Sequence, residues 1–319
     1  ISRVFGQVEY LPSGAVDKVF EVSRFAYSKW AQTPPMLRAK ALEKYADLLE
    51  KHHAELMALC VYEAGKTVLD AHLEIREAVD FCRYYSMQGR DIFDLQGHKM
   101  QGPTGESNVL THHGRGVFVC ISPWNFPLAI FTGQVVAALM AGNAVVAKPA
   151  EQACAVAHRA VELMHEAGIP KDVLQLVLGD GEIGGKLIAH PDVGGVAFTG
   201  STEVAKIIQR SLAEKDGPIV PLIAETGGQN VMIVDSSALP EQVVDDVILS
   251  AFGSAGQRCS ALRVLLLQDD IADKVIRMLC GAMAELRIGE PDELSSDLGP
   301  VIDEEALHVL ETHRNNLDK

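Results

Sequence analysis

The chain has 319 residues, of which 48% are hydrophobic and 22% are charged, and this composition excludes an intrinsically disordered protein. Its 43 acidic and 28 basic side chains give a net charge of −15, which disfavours nucleic-acid binding because the phosphate backbone is also negative. The length is typical of roughly two domains.

Cysteine and histidine usage gives no sign of disulfides or metal ligands. The six cysteines are scattered without a C-x-x-C pair, which indicates a reducing compartment such as the cytoplasm. The eleven histidines have no ligand spacing, so we predict no bound metal. The N-terminus has no secretory signal. Because Ile1 rather than methionine comes first, we expect the chain to be a piece of a longer protein.

The first hundred residues are predicted to be helical, since apolar side chains recur at helical spacing. A first helix is expected around Val16–Trp30 and is ended by Pro34 and Pro35. A second is predicted over Met36–Cys60 and a third over Thr67–Met87.

From residue 117 onward, short apolar runs rich in β-formers alternate with helical patterns. The predicted strands are 117–121, 144–147, 173–178, 195–198, 222–224, 230–234 and 263–267. The predicted helices between and after them are 131–140, 156–167, 183–189, 202–214, 240–252 and 270–287. Such alternation with short connections predicts an α/β fold with a doubly wound, mostly parallel sheet, and Gly227-Gly228 marks a domain boundary near residue 228.

One segment is long enough to cross a membrane. Val117–Ala147 contains no charged residue. Pro123 and Pro127 interrupt it, and Gly133 and Gly142 divide the rest. We therefore favour a strand, a helix and a second strand over a transmembrane helix.

Two glycine motifs suggest phosphate binding, and both have an ordinary alternative. Gly179–Gly184 fits G-x-G-x-x-G between a strand and a helix, but it follows the third strand of the unit, so a simple turn is an equally good interpretation. Gly65-Lys66-Thr67 lacks the upstream glycine and strand of a phosphate loop. We interpret it as a helix break with a cap.

Two strand ends carry candidate nucleotide-binding residues. In Phe198–Glu203, the N–H groups of a new helix can hold a pyrophosphate, although an N-cap at Ser201 or Thr202 is the favoured interpretation of this motif alone. Lys148 and Glu151 follow the second strand, where an acidic residue can bind ribose hydroxyls. A solvated turn is the alternative for this pair.

Two residues are candidates for covalent chemistry. Cys259 lies in a loop of small residues, which we expect at a helix N-terminus, and that position together with Arg258 would favour a reactive thiolate. The alternative is a buried structural thiol. Glu225 precedes Gly227 and is a possible general base, with a domain hinge at the glycines as the competing interpretation.

Taken together, these elements resemble the NAD(P)-dependent aldehyde dehydrogenase superfamily. Five motifs carry the resemblance in order: Pro123–Pro127, Lys148–Gln152, Phe198–Glu203, Glu225–Gly228 and Gly256–Ser260. Within the superfamily, the chain most resembles the Δ1-pyrroline-5-carboxylate (glutamate semialdehyde) dehydrogenase module of the bacterial proline utilization A type. That closer resemblance lies in residues 121–134, 223–228, 233–239 and 254–263.

The resemblance implies catalytic roles for three residues. Cys259 is the nucleophile that attacks the aldehyde carbon and later carries a thioester. The Asn125 amide and the backbone N–H of Cys259 hold the oxyanion. Glu225 activates the water that hydrolyses the thioester. Ser260 helps to bind the substrate carboxylate.

The resemblance also implies a cofactor site. Lys148 and Glu151 bind the adenosine ribose, Gly200 and Ser201 contact the pyrophosphate, and Trp124 is a further cofactor-binding residue. Because Glu151 would repel a 2′-phosphate, we expect NAD rather than NADP. The Gly179–Gly184 motif then becomes a packing turn near the cofactor.

The implied organisation is a Rossmann-like NAD-binding domain over residues 1–227 and an incomplete catalytic domain over 228–319. Residues 106–116 are expected to belong to an oligomerisation ribbon. The chain ends 60 residues after Cys259 and lacks the family's later Glu-x-Phe-Gly-Pro stretch. It is therefore predicted to be a C-terminally truncated fragment that binds NAD weakly and turns over little.

The implied parent function is oxidation of L-glutamate γ-semialdehyde to L-glutamate with NAD, in proline catabolism. The expected partners are a small aldehyde, further copies of the chain and a fused or coupled proline dehydrogenase domain, with no nucleic acid and no integral membrane segment. The expected location is the cytoplasm, and peripheral membrane association of the longer protein stays open. The alternatives are a dehydrogenase for another aldehyde and a non-catalytic nucleotide-binding module.

Overall fold

A computed structural model describes residues 6–317. Residues 1–5 of the predicted cofactor domain and residues 318–319 of the predicted catalytic domain lie outside the described residues. The α-helices in this range are α1 Val16–Trp30, α2 Pro35–Lys51, α3 His53–Ala64, α4 Val68–Ile92, α5 Ala129–Met140, α6 Cys154–Ala167, α7 Gly181–Ala189, α8 Thr202–Ala213, α9 Pro240–Val247, α10 Asp269–Glu285 and α11 Glu304–Leu317. The strands are β1 His98–Met100, β2 Asn108–Leu110, β3 Val117–Ile121, β4 Ala144–Lys148, β5 Leu174–Leu176, β6 Val193–Gly200, β7 Leu222–Thr226, β8 Asn230–Val234 and β9 Leu262–Leu267.

The predicted helix over Met36–Cys60 is wrong as a single element. It divides into α2 and α3 because His52 leaves the helical conformation, with φ −97° and ψ 20°. The His52 N–H donates to the carbonyl oxygens of Leu48 and Glu50 and so caps the C-terminal end of α2. The short pair β1 and β2 and the helix α11 are further elements that the apolar periodicity does not predict.

The chain divides into two compact units. The first contains the residues up to Leu56 together with Glu74–Glu225, and the second contains Met57–Leu73 together with the residues from Thr226 onward. The assignment of a cofactor domain to 1–227 and a catalytic domain to 228–319 stays a prediction.

The first unit is built on a five-stranded sheet in the order β5-β4-β3-β6-β7. β3 pairs in parallel with both β4 and β6, and β4 pairs in parallel with β5. The chain moves outward from β3 to β5 and then returns to the other side of β3, so the order reverses there. This arrangement confirms the predicted doubly wound α/β fold.

Helix α5 follows β3 and carries no charged residue of its own. Its first N–H groups are capped by Glu74 of α4, whose Oε2 accepts hydrogen bonds from the N–H groups of Leu128 (3.1 Å) and Ala129 (2.8 Å). At the other end, Arg38 of α2 donates to the carbonyl oxygen of Met140 at 3.0 Å. A negative charge at the N-terminus and a positive charge at the C-terminus both interact favourably with the helix dipole. Two distant segments therefore fix α5 and the loop before it.

Helix α7 begins at the Gly179–Gly184 motif, and Asp180 is its N-cap. The Asp180 carboxylate accepts hydrogen bonds from the N–H groups of Glu182 (3.0 Å) and Ile183 (3.3 Å). A Cβ placed on Gly179 would lie 2.7 Å from Cβ of Ile183, so the turn into the helix requires glycine there. These contacts support the interpretation of the motif as a packing turn.

We expect Asp180→Ala to lower the free energy of unfolding by about 1 kcal/mol, since it removes the side-chain acceptor for two helix N–H groups. Urea denaturation measures the change. Lys186→Ala is the matched control, because it removes only an exposed ion pair with Glu182 of the same helix and should cost less than about 0.5 kcal/mol. Equal effects of the two substitutions would contradict the capping role.

The second unit contains the parallel pair β8 and β9. Helices α9 and α10 pack on one face, where the buried cluster is Val234, Val243, Val244, Val247, Leu262 and Val275. The opposite face exposes Val231, Ile233, Val264 and Leu266.

β1 and β2 form an antiparallel pair in the segment between α4 and β3. A role for residues 106–116 in an oligomerisation ribbon stays a prediction. Across residues 6–317, no helix is long and apolar enough to cross a membrane.

Candidate active site

The predicted residues of the first unit lie at the carboxyl ends of its parallel strands, where α/β sheets bind ligands beside the reversal of strand order. The ends of β3 and β6, the two strands at this reversal, are joined by Gln134 of α5. Its Nε2 donates to the carbonyl oxygen of Ile121 (3.3 Å) and to Oγ1 of Thr199 (2.9 Å). The edge is therefore held together by side-chain as well as main-chain hydrogen bonds.

Trp124 and Asn125 lie in the loop that leaves β3, and both side chains are half-buried. The loop ends at the α5 N-terminus, which Glu74 caps. At its start, Ser122 is buried and its Oγ has no hydrogen-bond partner. A buried hydroxyl of this kind at a strand end is available to a bound ligand.

Lys148 ends β4 and is only 4% exposed. Its Nζ donates to the carbonyl oxygen of Pro149 at 3.1 Å and lies 3.9 Å from Oε2 of Glu151. Burial lowers the pKa of Lys148, and the nearby Glu151, Cys154 and Asp180 partly oppose that shift. The two predicted ribose-binding residues, Lys148 and Glu151, are thus adjacent at one strand end.

Gly200 and Ser201 mark the end of β6 and the start of α8. The Ser201 hydroxyl accepts a hydrogen bond from the N–H of Val204 at 3.1 Å, so this side chain is an N-cap, which is the interpretation that the motif alone favours. The first N–H groups of the helix, at Thr202 and Glu203, have no partner within the helix and can bind an anion.

Two exposed apolar residues of α8 are further candidate binding residues at this edge of the sheet, although no motif predicts them. Val204 is 42% exposed and Ile207 is 55% exposed, and they lie three positions apart on the helix. The available signal in the sequence is an apolar pair on the otherwise polar side of α8. Such a surface can pack against a flat apolar ring.

Glu225 lies in β7, the strand next to β6, and its side chain is exposed. The carboxylate is therefore accessible from solvent. An exposed carboxylate can take a proton from a water molecule.

Cys259 and Ser260 lie in the second unit, and both are exposed. Exposure of Cys259 contradicts the alternative of a buried structural thiol. The expected helix N-terminus is wrong, because the segment after Cys259 is the strand β9. Among the other cysteines only Cys280 is exposed, and burial raises the pKa of Cys120 to about 12. Cys259 is thus a far better candidate nucleophile than Cys120.

The loop before Cys259 has an unusual backbone. Ser254 and Ala255 have φ values of 56° and 54°, and Gly256 continues this left-handed run with φ 70°. Left-handed residues other than glycine cost of order 1–3 kcal/mol each and occur often at functional sites. Arg263 holds the turn by donating from Nη2 to the carbonyl oxygen of Gly256 at 2.9 Å.

Arg258 does not present an uncompensated charge to Cys259. Its guanidinium donates to the carboxylate of Asp70, at the start of α4, in an ion pair that is largely buried. The expectation that Arg258 activates the thiol is therefore not supported, because a carboxylate offsets its charge. The contact also fixes the residue immediately before Cys259.

Asn230 fixes the peptide groups after Cys259. Its Nδ2 donates to the carbonyl oxygens of Cys259 (2.8 Å) and Ala261 (2.9 Å). Nothing in the sequence motifs predicts this role, although Asn230 follows the Gly227-Gly228 pair by only two residues. Side-chain contacts thus fix the loop both before and after Cys259.

Each unit therefore brings together part of the predicted set. Trp124, Asn125, Lys148, Glu151, Gly200, Ser201 and Glu225 belong to the first unit, and Cys259 and Ser260 belong to the second. Convergence of Asn125, Glu225 and Cys259 on one cavity stays a prediction.

The sequence matches the aldehyde dehydrogenase family over residues 2–317. The bifunctional protein PutA of Salmonella typhimurium is 55% identical over 288 residues, which are 89% of this chain and 21% of that protein. The 1-pyrroline-5-carboxylate dehydrogenase of Anoxybacillus flavithermus is 37% identical over 313 residues, which are 97% of this chain and 60% of that enzyme.

A solved structure shows the same similarity in three dimensions. A crystal structure of a mutant of Bradyrhizobium japonicum proline utilization A matches with a TM-score of 0.94 and 58% identity. The match covers 98% of this chain and 32% of that one. The chain thus spans about a fifth to three fifths of the length of these relatives.

Proposed function

Because the chain belongs to the aldehyde dehydrogenase family, we propose that it carries the aldehyde-oxidising chemistry of a proline catabolic enzyme. The substrate is L-glutamate γ-semialdehyde, the open form of Δ1-pyrroline-5-carboxylate, and the product is L-glutamate. The observation that carries this proposal is the similarity to 1-pyrroline-5-carboxylate dehydrogenase along 97% of the chain. The exposed Cys259, in a loop fixed on both sides, supports it.

The chain's own residues divide the chemistry between them. The Cys259 thiolate forms a bond to the aldehyde carbon, and the carbonyl oxygen becomes an oxyanion that the Asn125 amide and the Cys259 N–H stabilise. After the carbon loses its hydride, the acyl group stays on Cys259 as a thioester. Glu225 takes a proton from water, which attacks the thioester and releases the acid and the thiolate.

Members of this family generally use NAD or NADP, and we propose NAD. When bound, NAD would supply the acceptor for the hydride that the substrate carbon loses. The residues at the carboxyl edge of the first unit fit a dinucleotide: the α8 N-terminus accepts phosphate, and the exposed Val204 and Ile207 accept an apolar ring. Lys148 and Glu151 bind the ribose, and the Glu151 carboxylate disfavours a 2′-phosphate through like-charge repulsion. Trp124 borders the same edge.

The wider organisation is part of the proposal. Residues 1–227 act as the cofactor domain, 228–319 as the start of the catalytic domain, and 106–116 as part of a ribbon between copies of the chain. A second activity, proline dehydrogenase, acts in the same cytoplasmic pathway. The PutA relatives are bifunctional proteins, which supports that coupling.

The test is NADH formation by the full-length product of the gene when glutamate semialdehyde and NAD are supplied. We expect NADH to appear with this aldehyde and glutamate to accumulate in equal amount. The isolated 319-residue chain is expected to bind NAD weakly and to turn over little. A folded full-length protein that binds NAD yet forms no NADH with any aldehyde would instead be a non-catalytic nucleotide-binding module.

Ser260 is expected to distinguish substrates. Ser260→Ala in the full-length gene product should raise KM for glutamate semialdehyde about tenfold, since it removes a hydrogen bond to the substrate carboxylate. KM for a simple aliphatic aldehyde should stay within about twofold, because that aldehyde has no carboxylate to lose contact with. Steady-state NADH kinetics with both aldehydes measure the split. An equal rise in both values would assign Ser260 a structural role only.

A further inference from the structure

Asp70 is a buried carboxylate far from Cys259 in the sequence and close to its loop in the second unit. It lies in the first turn of α4, is 7% exposed, and accepts a hydrogen bond from the Thr67 hydroxyl at 3.1 Å. Its other oxygen binds the Arg258 guanidinium. Burial of a carboxylate is costly without such partners, so the contact with Arg258 is part of the fold.

The space that the Arg258 guanidinium occupies depends on glycine at position 253. A Cβ placed on Gly253 would lie 3.2 Å from Cζ and Nη2 of Arg258, which is tighter than ordinary contact. Glycine at position 253 therefore leaves room for the guanidinium that binds Asp70. The main-chain oxygen of Arg258 accepts from the N–H of Ala261 at 3.2 Å. Both the side chain and the backbone of the residue before Cys259 are thus fixed.

We propose that Asp70 is a positioning residue for Cys259. It acts through Arg258, the residue before Cys259, by holding the guanidinium in place and offsetting its charge. This inference rests on the proposed role of Cys259 as the nucleophile. Asp70 touches neither the thiol nor, in this proposal, the substrate. Its effect reaches Cys259 through a single intervening side chain.

The charges of Asp70 and Arg258 determine whether loss of Asp70 raises or lowers the reactivity of Cys259. In the wild-type chain a carboxylate and a guanidinium lie side by side, so the field they produce together at the neighbouring residue is small. Loss of the carboxylate alone leaves the guanidinium uncompensated, and a nearby positive charge favours the thiolate form of a cysteine. Loss of the guanidinium as well removes that field again.

The experiment measures iodoacetamide alkylation of the full-length gene product, with the peptides that contain Cys259 and Cys280 quantified by mass spectrometry. Cys280 is the internal reference, because it is the other exposed cysteine and lies in the same unit. The readout is the ratio of the Cys259 rate to the Cys280 rate at pH 7. In the wild-type chain the proposed function requires a ratio well above one.

Three variants form a cycle: Asp70→Asn, Arg258→Met and the double variant. We expect Asp70→Asn to raise the ratio about fivefold, Arg258→Met to change it less than about twofold, and the double variant to resemble Arg258→Met. A merely structural ion pair predicts the same ratio in both single variants, since each breaks the same contact. That outcome, or an unchanged ratio in Asp70→Asn, would overturn the inference.

Gly253→Ala tests the same contact without changing any charge, and it serves if Asp70→Asn does not fold. The added Cβ would lie 3.2 Å from Cζ and Nη2 of Arg258, so the guanidinium has to shift by a few tenths of an ångström relative to Asp70. We expect the weakened ion pair to raise the ratio by about twofold. Gly185→Ala is the control, because a Cβ there meets no atom within 4 Å. No rise in Gly253→Ala would count against the inference.

Failure of the proposed function gives a different result. If wild-type Cys259 reacts no faster than Cys280, the nucleophile assignment fails whatever the variants show. If wild-type Cys259 is fast and Asp70→Asn leaves the ratio unchanged, the nucleophile stands and only the role of Asp70 is lost.

Discussion

Replacing Cys259 with serine is expected to lower aldehyde oxidation by the full-length gene product about 10⁴-fold or more. A serine hydroxyl stays protonated near neutral pH, so it cannot replace a thiolate unless a base lies beside it. NAD affinity should change less than about twofold, because the residues proposed to hold the cofactor are elsewhere. NADH formation and equilibrium NAD binding measure the two effects.

Cys280→Ser is the matched control for this substitution. It exchanges the same atoms at the other exposed cysteine, on α10, and should leave the rate unchanged. If Cys259→Ser kept a tenth of the wild-type rate, another group would have to be the nucleophile, and the family resemblance would not extend to its chemistry.

Glu74→Ala is expected to lower the free energy of unfolding of the first unit by about 3 kcal/mol. Glu74 is 1% exposed, and its carboxylate is the acceptor for the N–H groups of Leu128 and Ala129. Alanine leaves both donors unsatisfied at the positive end of the α5 dipole and opens a cavity beside them.

Tryptophan fluorescence during urea denaturation reports this effect directly. The chain has two tryptophans. Trp124 lies in the loop before α5, and Trp30 donates from Nε1 to the carbonyl oxygen of Leu139 near the other end of α5, at 3.0 Å. Both probes therefore follow the helix whose cap is removed.

Two further variants separate capping from other effects at Glu74. Asp80→Ala removes an exposed carboxylate of the same helix, paired with Arg76 at 3.3 Å, and should cost less than about 0.5 kcal/mol. Glu74→Gln keeps an acceptor oxygen without the charge and should cost about 1 kcal/mol. A loss in Glu74→Ala no larger than in Asp80→Ala would show that α5 does not depend on this cap.

Local pattern predicts the sheet of the first unit well. β3 begins and ends at the predicted residues, and the other predicted strands of this sheet differ only at their ends. For β3 and β4, whose residues are almost all buried, the reason is that a strand covered on both faces must be an unbroken apolar run, which is visible in the sequence. The same reasoning does not find β1 and β2, because their short segments are mostly exposed and carry no such run.

Contacts between distant residues are what the sequence does not predict. The residues around Arg258 predict a free cation next to Cys259, but its partner Asp70 lies 188 positions earlier in the chain. The expected helix at Cys259 fails for a related reason: the small residues at 253–256 form a left-handed turn instead of a helix start. Family motifs identify which residues matter, and only the fold identifies what they touch.

Helix α5 also constrains the order in which the first unit is assembled. A twelve-residue helix without charged side chains is marginal by itself in water. The side chains that close its two ends, Arg38 and Glu74, both precede it in the chain. During synthesis from the N-terminus, both are therefore already made when the ribosome begins α5. A protein engineered to begin after α4 would lack both, and the loop that carries Trp124 and Asn125 would lose its anchor.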